Sequence, residues 1–282
     1  MHVDYYNRKS PAKPCSEDAF AIHHERRTYA VFDGVTPLQS LPNFSAAHKD
    51  SDPNDEQAEN GAVIASRTFK QHFERPDLGS NLIEEFVQAN NELRKRMIEA
   101  GIDLRQKHLL WSTCAAAVNI GAQEIRFAQL GDCMIVAQFR DGRIKALTKN
   151  QVKGISERAY EKREADRANG IYVPEEHFFE ENVNKQAYHR WLANTPYGYG
   201  VANGMPEMKD YIQTGTVPRS EVKGLLLMSD GLYDLDEDLE QVYQSVAAKG
   251  LQSYIDDLEK YEIEHSLYSD DKTGIWIQLP PC

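Results

Sequence analysis

Two stretches of the chain share one form, Tyr29–Gly34 (YAVFDG) and Leu226–Gly231 (LLMSDG). In each of them a mostly apolar run, typical of a buried strand, ends at an Asp-Gly pair. Such a strand carries the carboxylate of Asp33 or Asp230 to the edge of a sheet, and the glycine allows a turn or the close approach of another group. A third pair, Asp141-Gly142, is typical of an ordinary hairpin turn.

The segments around these two stretches predict short strands and amphipathic helices that do not alternate regularly. Ser80 is the predicted N-cap of the second helix, because a glutamate follows it within the first turn. The mixture predicts an α+β fold rather than a doubly wound parallel sheet. Strands are expected over 18–36 (two strands), 112–120, 124–130, 134–140, 143–147, 224–228 and 273–279, and helices over 61–75, 80–100, 156–168, 238–248 and 250–260.

The chain is expected to form a single domain over residues 1–282, because its composition changes nowhere sharply and it contains no internal repeat. Residues 149–210 are more strongly charged and predict a flap-like insertion over the edge of a sheet. The charged helix within it, at 156–168, is either a solvated surface helix with ion pairs or a flap that helps to select substrates. Residues 41–60 are rich in Pro, Asn, Asp and Ser and predict a mobile acidic loop.

Charge and composition exclude several classes of protein. The 282 residues include 32 Lys and Arg against 44 Asp and Glu, a formal net charge of −12, which argues against a nucleic-acid binder. No apolar run approaches the ~20 residues of a membrane span, and the first residues lack the apolar core of a secretory signal. We therefore expect a cytoplasmic protein with no nucleic-acid or membrane partner. Its scattered cysteines agree with a reducing compartment: Cys15, Cys114, Cys133 and Cys282.

Acidic residues flank the predicted strands at four places. Besides Asp33 and Asp230, the pair Glu17-Asp18 precedes the first of these strands and the pair Asp270-Asp271 precedes the last. Carboxylates that converge at strand ends repel one another unless a cation lies between them, and oxygen-rich sites suit Mg²⁺ or Mn²⁺. Two such ions about 3.5–4 Å apart can activate a water molecule and orient a phosphoryl group. The pattern thus predicts a metal site for phosphate chemistry.

The order of these motifs resembles the metal-dependent protein phosphatase 2C (PPM) family, in the form of a bacterial-type stand-alone catalytic domain. The resemblance extends from about residue 13 to 279, so it covers nearly the whole chain. Each motif alone is weak, and five in the family's order are specific. They are Glu17-Asp18, Phe32-Asp33-Gly34, Gly131-Asp132, Ser229-Asp230-Gly231 and Asp270-Asp271-Lys272-Thr273.

The resemblance implies a four-layer α-β-β-α sandwich of two antiparallel sheets flanked by helices. It also implies hydrolysis of phosphoserine and phosphothreonine in proteins by a hydroxide that bridges two Mn²⁺ or Mg²⁺ ions. The expected partners are a phosphoprotein substrate and an opposing Ser/Thr kinase. Two other functions stay open: a catalytically weak or inactive phosphatase-fold regulatory or binding module, and a small-molecule phosphomonoesterase.

The same resemblance assigns roles to individual residues. Asp33 would bridge the two ions, the carbonyl of Gly34 would bind one of them, and Asp230 with Asp270 would bind the other. Asp132 and Asp230 would together hold a third ion.

Four further positions complete this implied site. Glu17 and Asp18 would hold metal-bound water molecules. Asp33, Asp230 and Lys13 form the expected catalytic set. Asp271 is an alternative ligand to Asp270, which we favour by its position.

Some positions depart from the family pattern. Lys13 stands where some members have an arginine that grips phosphate, and a lysine lacks the bidentate fork of a guanidinium; Arg8 is a second source of positive charge nearby. Val35 stands where many eukaryotic members have a histidine that is a candidate general acid. The segment Phe32–Thr36 is also similar to haloacid dehalogenase-type phosphatases, but Val31 occupies the position of their nucleophilic aspartate, which excludes that class.

Overall fold

The computed structural model describes residues 1–38, 60–233 and 238–281. The acidic loop predicted over 41–60 lies outside these residues apart from Asn60. Among the described helices, none is both long and apolar enough to cross a membrane.

Two antiparallel sheets of five strands each form the centre of the described molecule. The first sheet has the order β1 (His2–Arg8), β10 (Lys272–Gln278), β9 (Val222–Met228), β6 (Met134–Phe139) and β7 (Ile144–Ala146). The second has the order β2 (Ala19–His23), β3 (Thr28–Gly34), β4 (Thr113–Ile120), β5 (Glu124–Leu130) and β8 (Gln213–Pro218).

A pair of helices covers the outer face of each sheet. Helices α1 (Gly61–Phe73) and α2 (Leu82–Glu99) pack on the second sheet. Helices α5 (Leu239–Lys249) and α6 (Leu251–Glu264) pack on the first. Since a sheet with two apolar faces must bury both, the sheets pack on each other and on their helices, which produces four layers. The α+β class and the α-β-β-α sandwich expected from the sequence are confirmed.

Strand β3 shows how the layers position the site. Tyr29 and Val31 face the other sheet, whereas Phe32 packs against Phe69 and Phe73 of α1. Because successive side chains of a strand point to opposite faces, Asp33 lies on the same side as Val31, between the two sheets. The apolar strand β3 therefore ends with the carboxylate of Asp33 at the edge of the core between the two sheets.

Two strands and one helix were missed by the sequence patterns. Strands β1 and β8 are edge strands with polar, partly exposed residues, so they lack the apolar run of a central strand. Helix α4 (Asn182–Trp191) follows helix α3 (Ile155–Ala168), which lies where a helix was predicted. The N-cap prediction was wrong by one residue: Asn81, not Ser80, accepts a hydrogen bond from the backbone N–H of Ile83 at 3.2 Å.

The 149–210 segment is tied into the body of the molecule at its C-terminal end. Ala202 exchanges two backbone hydrogen bonds with Thr113 of β4, at 2.9 and 3.0 Å. Tyr199 and Asn203 beside it are buried. A single domain with a flap-like insertion stays a prediction.

Candidate active site

The ends of β3 and the chain after β9 bring Asp33 and Asp230 together. The two carboxyl groups are close enough that each shifts the pKa of the other. Burial, and then the negative charges of Asp230, Asp18 and Asp132, raise the pKa of Asp33 well above its ordinary value. Burial, and then the charges of Asp132 and Asp270, raise the pKa of Asp230 to about 8. Because their negative charges would repel one another where water is largely excluded, these carboxyl groups keep their protons at a pH at which an exposed aspartate is ionised.

Asp18 belongs to the same group of acids. Its Oδ2 accepts a hydrogen bond from the Ser229 hydroxyl at 2.7 Å, next to Asp230 in the chain. Burial raises the pKa of Asp18 to about 7, although the hydrogen bond from Ser229 lowers it. The first strand pair of one sheet and the end of β9 in the other thus meet through this contact.

Asp132 lies two residues before the start of β6 and is 8% exposed. Its Oδ1 is buried with no hydrogen-bond partner among the described residues. Burial raises the pKa of Asp132, while a hydrogen bond from the Cys114 thiol lowers it. An orphaned carboxylate oxygen in a buried group of acids is an acceptor that lacks its donor or cation.

The donor set fits a hard divalent cation. Within the described part of the chain, none of the ion pairs formed with Lys, Arg or His involves Asp33, Asp132 or Asp230. Carboxylate oxygens are the ligands that Mg²⁺ and Mn²⁺ prefer. The described residues contain no group of three His, Cys, Asp or Glu side chains already placed around one point. The acids are neighbours, and an ion would have to draw them together.

Backbone carbonyl groups lie so close to Gly34 and Gly231 that neither position has room for a side chain. A Cβ atom on Gly34 would lie 2.5 Å from the carbonyl oxygen of Ala62 and 2.6 Å from that of Glu17. A Cβ atom on Gly231 would overlap the carbonyl oxygen of Asp271. Neither glycine has a positive φ, so the close approach of backbone is what excludes a side chain.

Lys13 lies at the site but its charge is already paired. Its Nζ lies 2.5 Å from Asp270 Oδ1, 2.9 Å from Glu17 Oε2 and 3.2 Å from Asp271 Oδ2. Burial opposes the charge, but hydrogen bonds to Asp270 and Glu17 raise the pKa of Lys13 far above its ordinary range. Lys13 is therefore protonated, and its ammonium group is shared by three carboxylates.

The neighbouring acids Asp270 and Asp271 have different surroundings. Asp271 is 1% exposed and accepts hydrogen bonds from the backbone N–H groups of Ser10 at 2.6 Å and Glu17 at 2.8 Å. The side chain of Asp270 is 36% exposed, and its charge acts on Asp132 and Asp230. Asp271 thus fastens the N-terminal segment, whereas the carboxyl group of Asp270 is the more accessible of the two.

Glu17 is engaged by protein groups. Its two oxygens accept hydrogen bonds from the Thr36 hydroxyl at 2.5 Å and the Asn60 amide at 2.6 Å. Asn60 in turn caps α1 by accepting from the N–H groups of Ala62 and Val63. Glu17 therefore joins the strand ends to the start of α1.

Two other positions differ from their expected roles. Arg8 forms ion pairs with Asp256 and Glu259 of α6, so the structure does not place it at the carboxylate group. Val35 follows Gly34 and donates its backbone N–H to the Ser112 carbonyl at 2.9 Å. Its side chain carries no proton donor.

One residue near the site was missed by sequence reasoning. Arg190 of α4 is 9% exposed and donates from Nη2 to the carbonyl oxygen of Thr36. Burial lowers the pKa of Arg190, while the negative charge of Glu17 raises it. An arginine within a charged helical stretch gives no signal in the sequence, because only the folded chain brings it to the end of β3.

Comparisons with known proteins agree with this fold. A family model described as protein phosphatase 2C matches residues 12–268. A bacterial serine phosphatase structure is 16% identical, with 100% of this chain and 99% of that one covered and a TM-score of 0.59. Stp1 from Staphylococcus aureus is 16% identical, with 99% and 95% covered and a TM-score of 0.57. The catalytic domain of PstP, solved in complex with two manganese ions, is 14% identical, with 98% and 96% covered and a TM-score of 0.58.

A search of the curated proteins found no match. The family model nevertheless spans most of the chain, and the solved structures share its fold over nearly their whole length. The resemblance stated from the ordered motifs is thereby confirmed: the chain belongs to the protein phosphatase 2C family, a family of protein phosphatases.

Proposed function

We propose that this protein hydrolyses phosphoserine and phosphothreonine in proteins with the help of two Mn²⁺ or Mg²⁺ ions. One observation carries the proposal: the half-buried Asp33 and Asp230 and the buried Asp132 are neighbouring carboxyl groups without a cationic partner among the described residues. Such a group is costly to bury unless cations neutralise it. Family membership and the manganese ions in the PstP neighbour support this assignment.

The ligands proposed for the two ions are Asp33, the Gly34 carbonyl, Asp230 and Asp270, with Asp132 and Asp230 available to a third. Ions held there would lower the pKa of a bound water molecule and polarise the phosphoryl oxygens. Asp18 and Glu17 orient the surrounding loops through their contacts to Ser229 and Thr36.

The chain's own residues supply positioning. Lys13 holds Asp270 and Glu17 in place through its ion pairs. Val35 offers no proton to the leaving group, so that proton comes from solvent or from another group. A cytoplasmic location and an opposing Ser/Thr kinase belong to the same proposal and rest on the expectations drawn from the sequence.

The experiment compares Asp33→Asn with Asp141→Asn, which alters the exposed aspartate of the β6–β7 turn and serves as the matched control. Hydrolysis of p-nitrophenyl phosphate and of phosphopeptides is measured with Mn²⁺ titration. We expect Asp33→Asn to lose activity at least 100-fold and to bind Mn²⁺ more weakly, while Asp141→Asn keeps both. Full activity in Asp33→Asn would refute the proposed metal site.

Two outcomes would replace the proposed substrate. Hydrolysis of small phosphomonoesters but not of phosphopeptides would identify a small-molecule phosphomonoesterase. Tight phosphopeptide binding by the wild-type protein without turnover would identify a regulatory or binding module.

A further inference from the structure

Arg190 is a buried cation that has no anionic partner among the residues the structure describes. Only 9% of the residue is exposed, and none of the ion pairs among the described residues includes it. Of its five N–H groups, one on Nη2 donates to the Thr36 carbonyl, and no other acceptor among the described residues receives a bond from the rest. A guanidinium pays a desolvation cost on burial that an anion normally offsets.

The other buried cations differ in this respect. The Lys272 ammonium, 0% exposed, lies 2.9 Å from Glu262, and the Arg163 guanidinium, 7% exposed, lies 2.7 Å from Glu176. Lys13 has three carboxylates. Within the described residues, the cations buried to the same degree each have a carboxylate, and Arg190 does not.

Its position links it to the carboxylate group. Thr36, whose carbonyl Arg190 contacts, follows Asp33 by three residues, and the Thr36 hydroxyl donates to Glu17 Oε2 at 2.5 Å. The same Oε2 lies 2.9 Å from Lys13 Nζ. A short chain of contacts therefore connects the guanidinium, through Thr36 and Glu17, to the lysine that holds Asp270.

We propose that Arg190 binds the phosphoryl group of the substrate and supplies from α4 a guanidinium fork where Lys13 offers only an ammonium group. This inference rests on the proposed function. The ligand class is a phosphomonoester dianion, because a planar guanidinium, with four N–H groups that bond to no acceptor in the described part of the chain, matches two phosphate oxygens at once. Lys13 cannot take this role alone, since three carboxylates already share its three protons.

A purely structural role makes a different prediction. If Arg190 only held α4 to the loop after β3, a lysine at this position would replace it fully, because an ammonium group also donates to a carbonyl oxygen. If the fork binds phosphate, a lysine would restore stability but not the affinity for phosphate.

The experiment uses the full chain loaded with Mn²⁺ and three variants: Arg190→Met, Arg190→Lys and Lys185→Met. The last removes an exposed positive charge from the same helix and is the matched control. Binding of inorganic phosphate is measured by isothermal titration calorimetry, beside KM and kcat for p-nitrophenyl phosphate and the thermal unfolding temperature.

We expect Arg190→Met to weaken phosphate binding about 10- to 100-fold, the size expected for losing charge-assisted hydrogen bonds. Arg190→Lys is expected to unfold at the wild-type temperature and still bind phosphate at least 5-fold more weakly. Lys185→Met should stay within 2-fold of the wild type. Because Arg190 is proposed to bind the phosphoryl group in the bound substrate, KM for p-nitrophenyl phosphate should rise in Arg190→Met by a larger factor than kcat falls.

Wild-type phosphate affinity in Arg190→Lys would overturn the inference, as would an equal loss in Lys185→Met. Should Arg190→Met fail to fold, Arg190→Lys decides the question. Failure of the proposed function is distinguishable: a wild-type protein that binds phosphate through Arg190 yet hydrolyses no phosphoester would refute the activity and keep this assignment.

Discussion

The loop that carries Asp270 depends on one buried lysine. Lys272 is 0% exposed, and its Nζ lies 2.9 Å from Glu262 Oε2 of α6, 2.9 Å from the Ser269 hydroxyl and 3.1 Å from the Asp270 carbonyl. The contact with Glu262 is close but lies outside hydrogen-bond angles, so it is chiefly electrostatic. Lys272→Met keeps most of the length of the unbranched side chain and removes all three contacts.

The expected cost can be worked out from these contacts. Removing one partner of a buried ion pair typically destabilises a protein by about 3–5 kcal/mol, because the other charge stays buried. Since Glu262 is 8% exposed and the pair is imperfectly aligned, the lower end of the range applies, about 3 kcal/mol. With a urea m-value of about 3 kcal/mol/M, the unfolding midpoint falls by about 1 M.

The assay is urea unfolding followed by tryptophan fluorescence, together with Mn²⁺ titration of the folded variant. The double variant Lys272→Met/Glu262→Leu should regain at least half of the lost stability, because replacing both charges by apolar groups removes the unpaired charge. Both variants should bind Mn²⁺ more weakly, since the Asp270 carbonyl has lost its anchor. An unchanged midpoint in Lys272→Met, or no recovery in the double variant, would refute the reasoning.

Three further predictions concern the same site. The pKa values of Asp18 and Asp230 are raised to about 7 and about 8, so their contribution to the stability of the metal-free protein is present below the unfolded pKa of about 4 and is lost as the pH rises through 7 to 8. Thermal unfolding in EDTA should fall in temperature from pH 5 to pH 9, whereas the stabilisation by Mn²⁺ should grow; a flat profile in EDTA would contradict this. Gly231→Ala places a Cβ atom on the Asp271 carbonyl, so we expect a loss of activity and a lower unfolding temperature, and a fully active variant would disprove the close approach. Asp271→Asn should cost about 2–3 kcal/mol through its backbone hydrogen bonds, whereas Asp270→Asn should mainly weaken Mn²⁺ binding; the reverse assignment by calorimetry and urea unfolding would show that Asp271 is the ligand.

Local patterns predicted the elements whose residues carry a strong periodic signal. The runs that end at Asp33 and Asp230 became central strands because they are apolar on both faces and lie between two layers. Strands β1 and β8 were not predicted, since a polar edge strand differs little from a loop in sequence. Helix α4 was not predicted for a similar reason, because Arg190 is the only one of its residues that is buried.

The sequence alone determined the α+β class, the order of the acidic motifs and the family, because strand ends and Asp-Gly turns are local features that a short window records. Only the tertiary structure decided which partner each of these acidic and basic side chains contacts. It buried Asp271 against the backbone of Ser10 and Glu17, saturated Lys13 with three carboxylates and turned Arg8 toward α6. It also carried Arg190 to Thr36, 154 residues away in the chain. These pairings join segments far apart in sequence, and which charges meet there depends on the packing of whole layers rather than on any local pattern.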